Sequence, residues 1–344
     1  MRVLFIGGTG NISYECTVAA LEAGFEVYTL NRGTRKGRTV AGAITLNADV
    51  RDTESAASVL SDFRFDSVVD FISFTPEQVA ASLALFRGRA SQYVFISSAS
   101  VYRKPPVHHV ITEATPLANP FWAYARAKIA CERFLEAEGR DRGLAYTIVR
   151  PSHTYGRTWI PLAFGSSNFT IAARMLAGKE VIVHGDGQAL WTLTHARDFA
   201  VGLLGLLCNP AALGEAVQIT GEEALTWDSI HRTVAAALGV EARIVHMPSD
   251  FIASVDPEIG EHFLGDKAYS ALFDCSKLKR LVPAFRTTVP FHEGMRDSVA
   301  WFMADPARRE IDQKMDDTIE KLLFAWRAAK SAASGAIAPE RRRV

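Results

Sequence analysis

The chain is poor in cysteine: its four, Cys16, Cys131, Cys208 and Cys275, lie far apart with no Cys-x-x-Cys pair. That argues against a disulfide framework and a zinc site, and makes reduced thiols in a cytoplasmic protein the expectation. An excess of either charge is missing too, because 38 Lys and Arg balance 38 Asp and Glu among 344 residues. No global field therefore draws the chain to nucleic acid or to a membrane surface. Long apolar runs are absent. The most apolar late segment, Phe199 to Cys208, is too short for a bilayer, and a strand pattern begins directly after Met1, leaving no room for a signal peptide. Histidine is not clustered: the adjacent pair His108-His109 falls in a loop without partner ligands and is expected at the surface, with no metal.

What the chain does have is a short apolar, β-branched run, Val3 to Ile6, followed at once by Gly7, Gly8 and Gly10. Such a run suits a parallel strand buried on both faces. The glycines permit a tight bend with exposed backbone amides, and Asn11 to Ala23 reads as a helix ending at Gly24. A helix N-terminus with free amides favours a pyrophosphate. Gly7-x-x-Gly10-x-x-Ser13 is therefore read as a dinucleotide site, with Ser13 where a third glycine is common. The next strand, Phe25 to Leu30, runs into Asn31-Arg32, where a Rossmann strand meets the adenosine ribose. An acidic residue there would repel a 2′-phosphate. Asn31, Arg32, Arg35 and Lys36 instead favour NADP(H), with NAD(H) as the alternative because Asn31 also suits a bare ribose.

Strand and helix keep alternating. Strands are predicted at Ala43 to Leu46, Ser67 to Ile72, Gln92 to Ser97 and Ala145 to Arg150, with helices at Thr53 to Phe63, Pro76 to Phe86 and Pro120 to Glu138. The pattern predicts a Rossmann-type, doubly wound parallel α/β sheet. Asp49 is placed to accept from an adenine amino group, with Val50 against the ring. The fifth strand delivers Ser97, Ser98 and Ser100 to the carboxyl end of the sheet, where such folds bind ligands. Tyr124 and Lys128 lie one helical turn apart on one face, the spacing a proton-transfer pair needs. There the ammonium would lower the phenol's pKa and bind ribose hydroxyls of the cofactor.

Beyond the Pro151-to-Gly156 loop the alternation breaks. Short strands at Glu180 to Val183 and Leu190 to Thr194, and helices at Asn168 to Ala177, Asp198 to Leu207, Trp227 to Leu238, Pro290 to Met303 and Arg308 to Ala329, suggest a smaller mixed α/β lobe. Ala216 to Ile219 is expected to return to the main sheet. The expected division is residues 1–160 with about 196–220 for the dinucleotide domain, 161–195 and 221–330 for the substrate lobe, and 331–344 as a loose tail.

Gly7-Gly8-Thr9-Gly10, Asp49-Val50, Ser97-Ser98-Ala99-Ser100-Val101-Tyr102, Tyr124-x-x-x-Lys128, Arg150-Pro151 with Tyr155-Gly156, and Gly185-Asp186-Gly187 followed by His195 to Asp198 occur in this order. In this set the chain resembles the extended short-chain dehydrogenase/reductases, the NAD(P)-dependent epimerase/dehydratase group. The resemblance implies hydride exchange with a nicotinamide at a secondary alcohol or ketone. Tyr124 would be acid or base, Ser98 would bond the same oxygen, and Lys128 would tune the phenol and hold the ribose. It implies dinucleotide contacts from Thr9, Asn11 and Ile12 beside the glycines, and from Phe71, Ser97, Pro151 and His153. Substrate contacts are implied for Ser73, Ser98, Ser100 and Asn168, with Trp122, Trp191 and Phe263 lining an aromatic pocket for a sugar-like body.

The chain also departs from that pattern. Ala99-Ser100 stand where sugar 4,6-dehydratases carry adjacent acids, which disfavours dehydration. Trp191 and Phe263 stand where UDP-sugar 4-epimerases carry arginines on the diphosphate, charge-assisted bonds worth roughly 1.5 to 3 kcal/mol each. Two further readings stay open: a nucleotide-sugar epimerase using Arg174 or Arg197 for the diphosphate, and a non-catalytic member resembling the plastid RNA-binding proteins of this superfamily. By analogy, a homodimer would form through Pro76 to Phe86 and Pro120 to Glu138.

Overall fold

The computed structural model describes residues 1–33, 39–164 and 168–337. The chain begins β1 (Arg2–Ile6), α1 (Ser13–Glu22), β2 (Glu26–Asn31), β3 (Ile44–Asn47), α2 (Thr53–Val59), β4 (Phe65–Asp70), α3 (Pro76–Phe86) and β5 (Ala90–Ile96). A two-residue strand, β6 (Val110–Ile111), precedes α4 (Ala123–Arg142), β7 (Tyr146–Pro151) and β8 (His153–Tyr155). Then come α5 (Thr170–Leu176), β9 (Glu180–His184), β10 (Leu190–His195), α6 (Ala196–Leu206) and β11 (Ala216–Ile219). The chain continues through β12 (Ala224–Thr226), α7 (Trp227–Ala237), β13 (Arg243–Met247), α8 (Ser249–Val255) and α9 (Pro257–His262). A π-helical turn, Phe263–Lys267, leads to β14 (Leu272–Phe273), α10 (Ser276–Leu281), α11 (Phe291–Met303) and α12 (Gln313–Ile337).

Seven strands form one sheet in the order β11-β7-β5-β4-β1-β2-β3, parallel at every pairing. The predicted Rossmann-type sheet is present. The order reverses between β1 and β4, and that switch point opens a crevice at the carboxyl ends of the strands. Leu4 and Ile6 face one apolar layer with Val79, Leu83 and Leu135; Val3 and Phe5 face the other with Ala20, Phe199 and Leu203. β1 is buried on both sides, which is why it reads as an unbroken apolar run. A third core holds Trp191, Trp227, Met247, Phe263, Met295 and Leu322 and fills the lobe.

Caps explain several boundaries. Thr75 accepts from the Gln78 amide with Pro76 in the first turn of α3, and Asp52 caps α2 on the Ser55 amide. α4 closes at Gly143, whose left-handed φ of 65° lets Leu144 reach back to the Glu138 carbonyl.

Some predicted elements differ. α1 starts at Ser13 rather than Asn11, because Gly7 to Ile12 are all taken up by the turn. α2 stops at Val59, where Ser61 and Asp62 favour a turn over further helix. Strand β8 lies where a loop was expected; three residues are too few to show a period, and parallel pairing with β10 holds them. Helix α12 runs on through Ser331 to Ile337, inside the span expected as a loose tail. The remaining residues, 338–344, lie outside the described part.

Candidate active site

The glycine turn is built by hydroxyls as well as by glycine. Gly7 sits at φ 79°, and a Cβ there would lie 2.4 Å from Ile72 Cγ2, so the turn passes too close to β4 for any other residue. Ser13 occupies the position of a third glycine because its buried hydroxyl is used: it accepts from the Gly10 amide at 2.8 Å and donates to the Gly7 carbonyl at 2.6 Å. Thr17 donates to the Gly8 carbonyl at 2.8 Å. The amides of Thr9, Asn11 and Ile12 donate to no acceptor among the described residues and stand at the N-terminus of α1. That donor set fits a dinucleotide pyrophosphate. The Asn11 side chain is engaged elsewhere, donating to the Thr154 carbonyl at 3.2 Å and accepting from the Gly156 amide at 3.1 Å. The Gly156 carbonyl in turn accepts from the Ser298 hydroxyl of α11.

The residues expected at the adenosine end lie together. Arg32, at the end of β2, lies 4.0 Å from the Asp49 carboxylate, and Asp49 accepts from the Arg51 amide at 3.0 Å. Asn31 is half-buried and fixes the neighbouring strand by accepting from the Ala48 amide; Val50 is buried beneath. Arg35 and Lys36 lie outside the described residues.

At the carboxyl end of β5, alternation separates the serines. Ser97 turns into the protein, where its hydroxyl donates to the fully buried Glu132, itself paired with Arg150 at 2.6 Å. Ser98 turns out. Its hydroxyl lies 2.9 Å from the Ser100 hydroxyl and close enough to the Tyr124 phenol to lower it against the effect of burial. Asn119 launches α4 by accepting from the Phe121 and Trp122 amides, while its own amide group bridges the carbonyls of Ser100 and Gly265. One side chain thus ties the serine loop to the helix bearing Tyr124 and to the π-helical turn of the lobe.

Lys128 is held in a socket that its sequence spacing does not reveal. Its ammonium donates to the carbonyls of Ser73 and Ile96, both at 2.8 Å, and lies 4.6 Å from the ring centres of Phe74 and Phe95. An ammonium has three protons, so one remains for a cofactor hydroxyl. Asp70, buried at the end of β4, accepts from the Ile72 and Ser73 amides and the Ser73 and Tyr93 hydroxyls, which shapes this socket. Ser73 therefore meets the site through its carbonyl, its hydroxyl being held by Asp70.

The expected electrostatics are reversed. Lys128 is 5.9 Å from the Tyr124 ring centre and does not lower the phenol; burial pushes Tyr124 up to about 12, opposed by the Ser98 hydrogen bond. Burial also brings Lys128 down to about 8, with the Asp70 carboxylate pulling the other way. The resting pair is a neutral phenol beside a cation.

Trp122 stacks on Tyr124 at 4.7 Å and on His262 at 4.9 Å, so it borders the reaction centre. Pro151 ends β7 and His153 opens β8 at the same sheet end, and His153 meets Trp191 edge-on at 6.5 Å. Trp191 and Phe263 are deeply buried in the lobe core, Phe263 against Phe164 and His184 at 4.9 Å each. Phe71 packs on Phe5 under the glycine turn. Asn168 accepts from the Thr170 amide ahead of α5, and no contact links it to Tyr124 or Ser98. His108 and His109 are exposed, and the described residues contain no group able to hold a metal ion. No described helix is long and apolar enough to cross a membrane. Residue reasoning missed Asp70, Asn119 and Lys267. Asp70 was marked by its place at a strand's carboxyl end, whereas a lysine beside Asp266 reads as surface.

A parallel sheet with a glycine turn at its switch point and a Tyr–Lys helix beside a strand-end serine define the extended short-chain dehydrogenase/reductase class. A profile of the NAD dependent epimerase/dehydratase family matches residues 3–220, more than half the chain, and the protein belongs to that family. The chain is 26% identical over 286 residues to 2′-dehydrokanamycin reductase of Streptomyces kanamyceticus, covering 83% of this chain and 80% of that one. It is 27% identical over 338 residues to the chloroplast stem-loop binding protein of 41 kDa b of Arabidopsis thaliana, covering 92% and 84%. Among solved structures, the UDP-glucose 4-epimerase of Thermus thermophilus in complex with NAD superposes with a TM-score of 0.70 at 23% identity, covering 88% of this chain and 99% of that one.

Proposed function

We propose that the protein is an NAD(P)-dependent oxidoreductase or epimerase that moves a hydride at a secondary alcohol or ketone of a sugar-like substrate. The observation that carries this is the meeting of Ser98, Tyr124 and the socketed Lys128 at the end of β5, beside the turn whose amides await a phosphate. The bound nicotinamide supplies or accepts the hydride. Tyr124, a neutral phenol in the resting site, donates its proton to a carbonyl oxygen as the hydride arrives, or takes it back in the reverse direction. Ser98 donates to the same oxygen, and Lys128, with no carboxylate at ion-pair distance among the described residues, keeps its remaining proton for the cofactor ribose. The similarity to a reductase of a ketone-bearing aminoglycoside supports a sugar-like ketone.

Tyr124→Phe is expected to lower turnover at least 100-fold while nucleotide binding changes less than threefold; unaltered turnover would remove Tyr124 from this role. Arg32 beside Asp49 supports NADP(H), and Arg32→Ala should weaken NADP(H) binding more than NAD(H) binding in fluorescence titrations. A homodimer through α3 and α4 belongs to the same proposal and is tested by light scattering.

The nucleotide-sugar reading loses its candidate cations. Arg174 is buried and paired with Asp316 at 2.6 Å and Glu320 at 2.9 Å, and Arg197 pairs with Asp297 at 3.2 Å. RNA binding is favoured by the similarity to the stem-loop binding protein. The balanced charge and the assembled proton-transfer group weigh against it; salt-dependent RNA binding without redox activity would reverse the order.

A further inference from the structure

The lobe carries a cation that has no ion-pair partner among the described residues. Lys267, last residue of the π-helical turn, is 9% exposed, and its ammonium has no hydrogen-bond or ion-pair partner among the described residues. Its neighbour Asp266 is turned toward Lys104, 3.9 Å away. An ammonium on a largely buried residue, without a partner in the protein, keeps its three donors for solvent or for a ligand. Its position is fixed by the turn that bears it, whose Gly265 carbonyl accepts from Asn119 and whose Lys267 carbonyl accepts from His184, both at 2.7 Å; burial first, and the Lys267 charge after it, lowers the imidazoles of His153, His184 and His262. His153 follows β7 at the sheet's carboxyl end, and His262 stacks on Trp122, which stacks on Tyr124. Lys267 therefore stands on the lobe wall across from the reaction centre.

Further unpartnered polar atoms lie in the lobe core beside this turn. The indole nitrogens of Trp191 and Trp227 are buried and donate to nothing, and the two rings lie 5.1 Å apart. His184 meets Trp227 at 4.9 Å and gives its Nε2 proton to the Lys267 carbonyl at 2.7 Å, which leaves Nδ1 buried without a partner. The two indoles offer N–H donors, His184 Nδ1 an acceptor, and Lys267 positive charge. Asp266, whose charge reaches Lys267, lies within ion-pair distance of Lys104 and not of Lys267.

We propose that Lys267 recognises an oxyanion, a carboxylate or a phosphate, carried by the sugar-like substrate, so that the enzyme acts on acidic sugars. The inference rests on the hydride-transfer reading for the identity of the site, yet its test does not depend on turnover. Lys267 supplies the positive charge that Trp191 and Phe263, standing where arginines are found in UDP-sugar epimerases, cannot.

The probes are D-glucuronate, glucose 6-phosphate and, as neutral control, glucose. Each is titrated into the nucleotide-loaded protein by calorimetry and by tryptophan fluorescence. At least one acidic sugar is expected to bind tenfold or more tightly than glucose, and which one does so decides between carboxylate and phosphate. Lys267→Met should reduce that preference below threefold, and Lys267→Arg should keep most of it. Unchanged nucleotide affinity in both variants shows that they are folded. Equal binding of acidic and neutral sugars, failure of both acids to bind, or a preference that survives in Lys267→Met would overturn the proposal. Tyr124→Phe should bind the acidic sugar as the parent does, so loss of the catalytic assignment and loss of the oxyanion site give different results.

Discussion

At the scale of single residues, Lys128 links chemistry to pH. Its ammonium is brought down to about 8, against an ordinary value of 10.5 that the unfolded chain would keep. Between these values the unfolded state holds the proton and the folded state has released it. The unfolded state thus binds more protons there, and the Lys128 contribution to stability rises with pH across that window. Nucleotide affinity should run the other way, falling above about pH 8 as the ribose-binding charge is lost. Binding isotherms and urea midpoints from pH 7 to about 10 should diverge, and Lys128→Met should flatten the binding profile. Parallel profiles would separate Lys128 from the cofactor. Much at this scale was legible. Ser98 was separable from Ser97 because residues in a strand alternate, and Tyr124 with Lys128 followed from helical spacing. The socket was not legible, since it is made of backbone carbonyls from Ser73 and Ile96, 55 and 32 residues away in sequence, and carbonyls carry no signature.

At the scale of elements, α4 is positioned by a buried charge pair. Glu132 on α4 meets Arg150 on β7 through three hydrogen bonds, with the Ser97 hydroxyl added, and both side chains are almost completely enclosed. Removing one partner strands the other charge, so Glu132→Ala should cost about 3 to 5 kcal/mol in urea unfolding. A cost below about 1 kcal/mol would mean that water reaches Arg150. The π-helical turn is set by contact instead. A Cβ at Gly265 would lie 2.5 Å from Trp122 Cβ, an atom fixed to the backbone of the residue that opens α4. Gly265→Ala should therefore reduce kcat more than it changes nucleotide affinity, and steady-state kinetics beside nucleotide titration will show the split. The sequence presents Gly265-Asp266 only as a short motif. That a five-residue π turn docks there depends on packing against Trp122 and Asn119, which no local propensity encodes.

At the scale of the molecule, the sheet carries its order in its sequence, because strands buried on both faces appear as apolar runs separated by helices. The lobe does not. Its strands are two to six residues long and join in small sheets of two or three, so period and length give little warning of them. The lobe is joined to the dinucleotide domain by Asp198, buried in the first turn of α6, which accepts from the Thr288 amide at 3.0 Å, the Thr288 hydroxyl at 2.7 Å and the Val289 amide at 3.2 Å. Asp198→Ala should destabilise the protein by about 3 kcal/mol and speed amide exchange at residues 288 and 289. Unchanged exchange there would show the lobe to be anchored elsewhere.

Asn11 joins the two ligand sites in a way that bears on kinetics. Its amide group fastens the phosphate-binding turn to Gly156, and Gly156 is fastened to α11 by Ser298. A nucleotide that settles the turn also settles one wall of the lobe. Reactants should then arrive in a compulsory sequence, the dinucleotide leading, and product inhibition patterns would reveal which of the two leaves last.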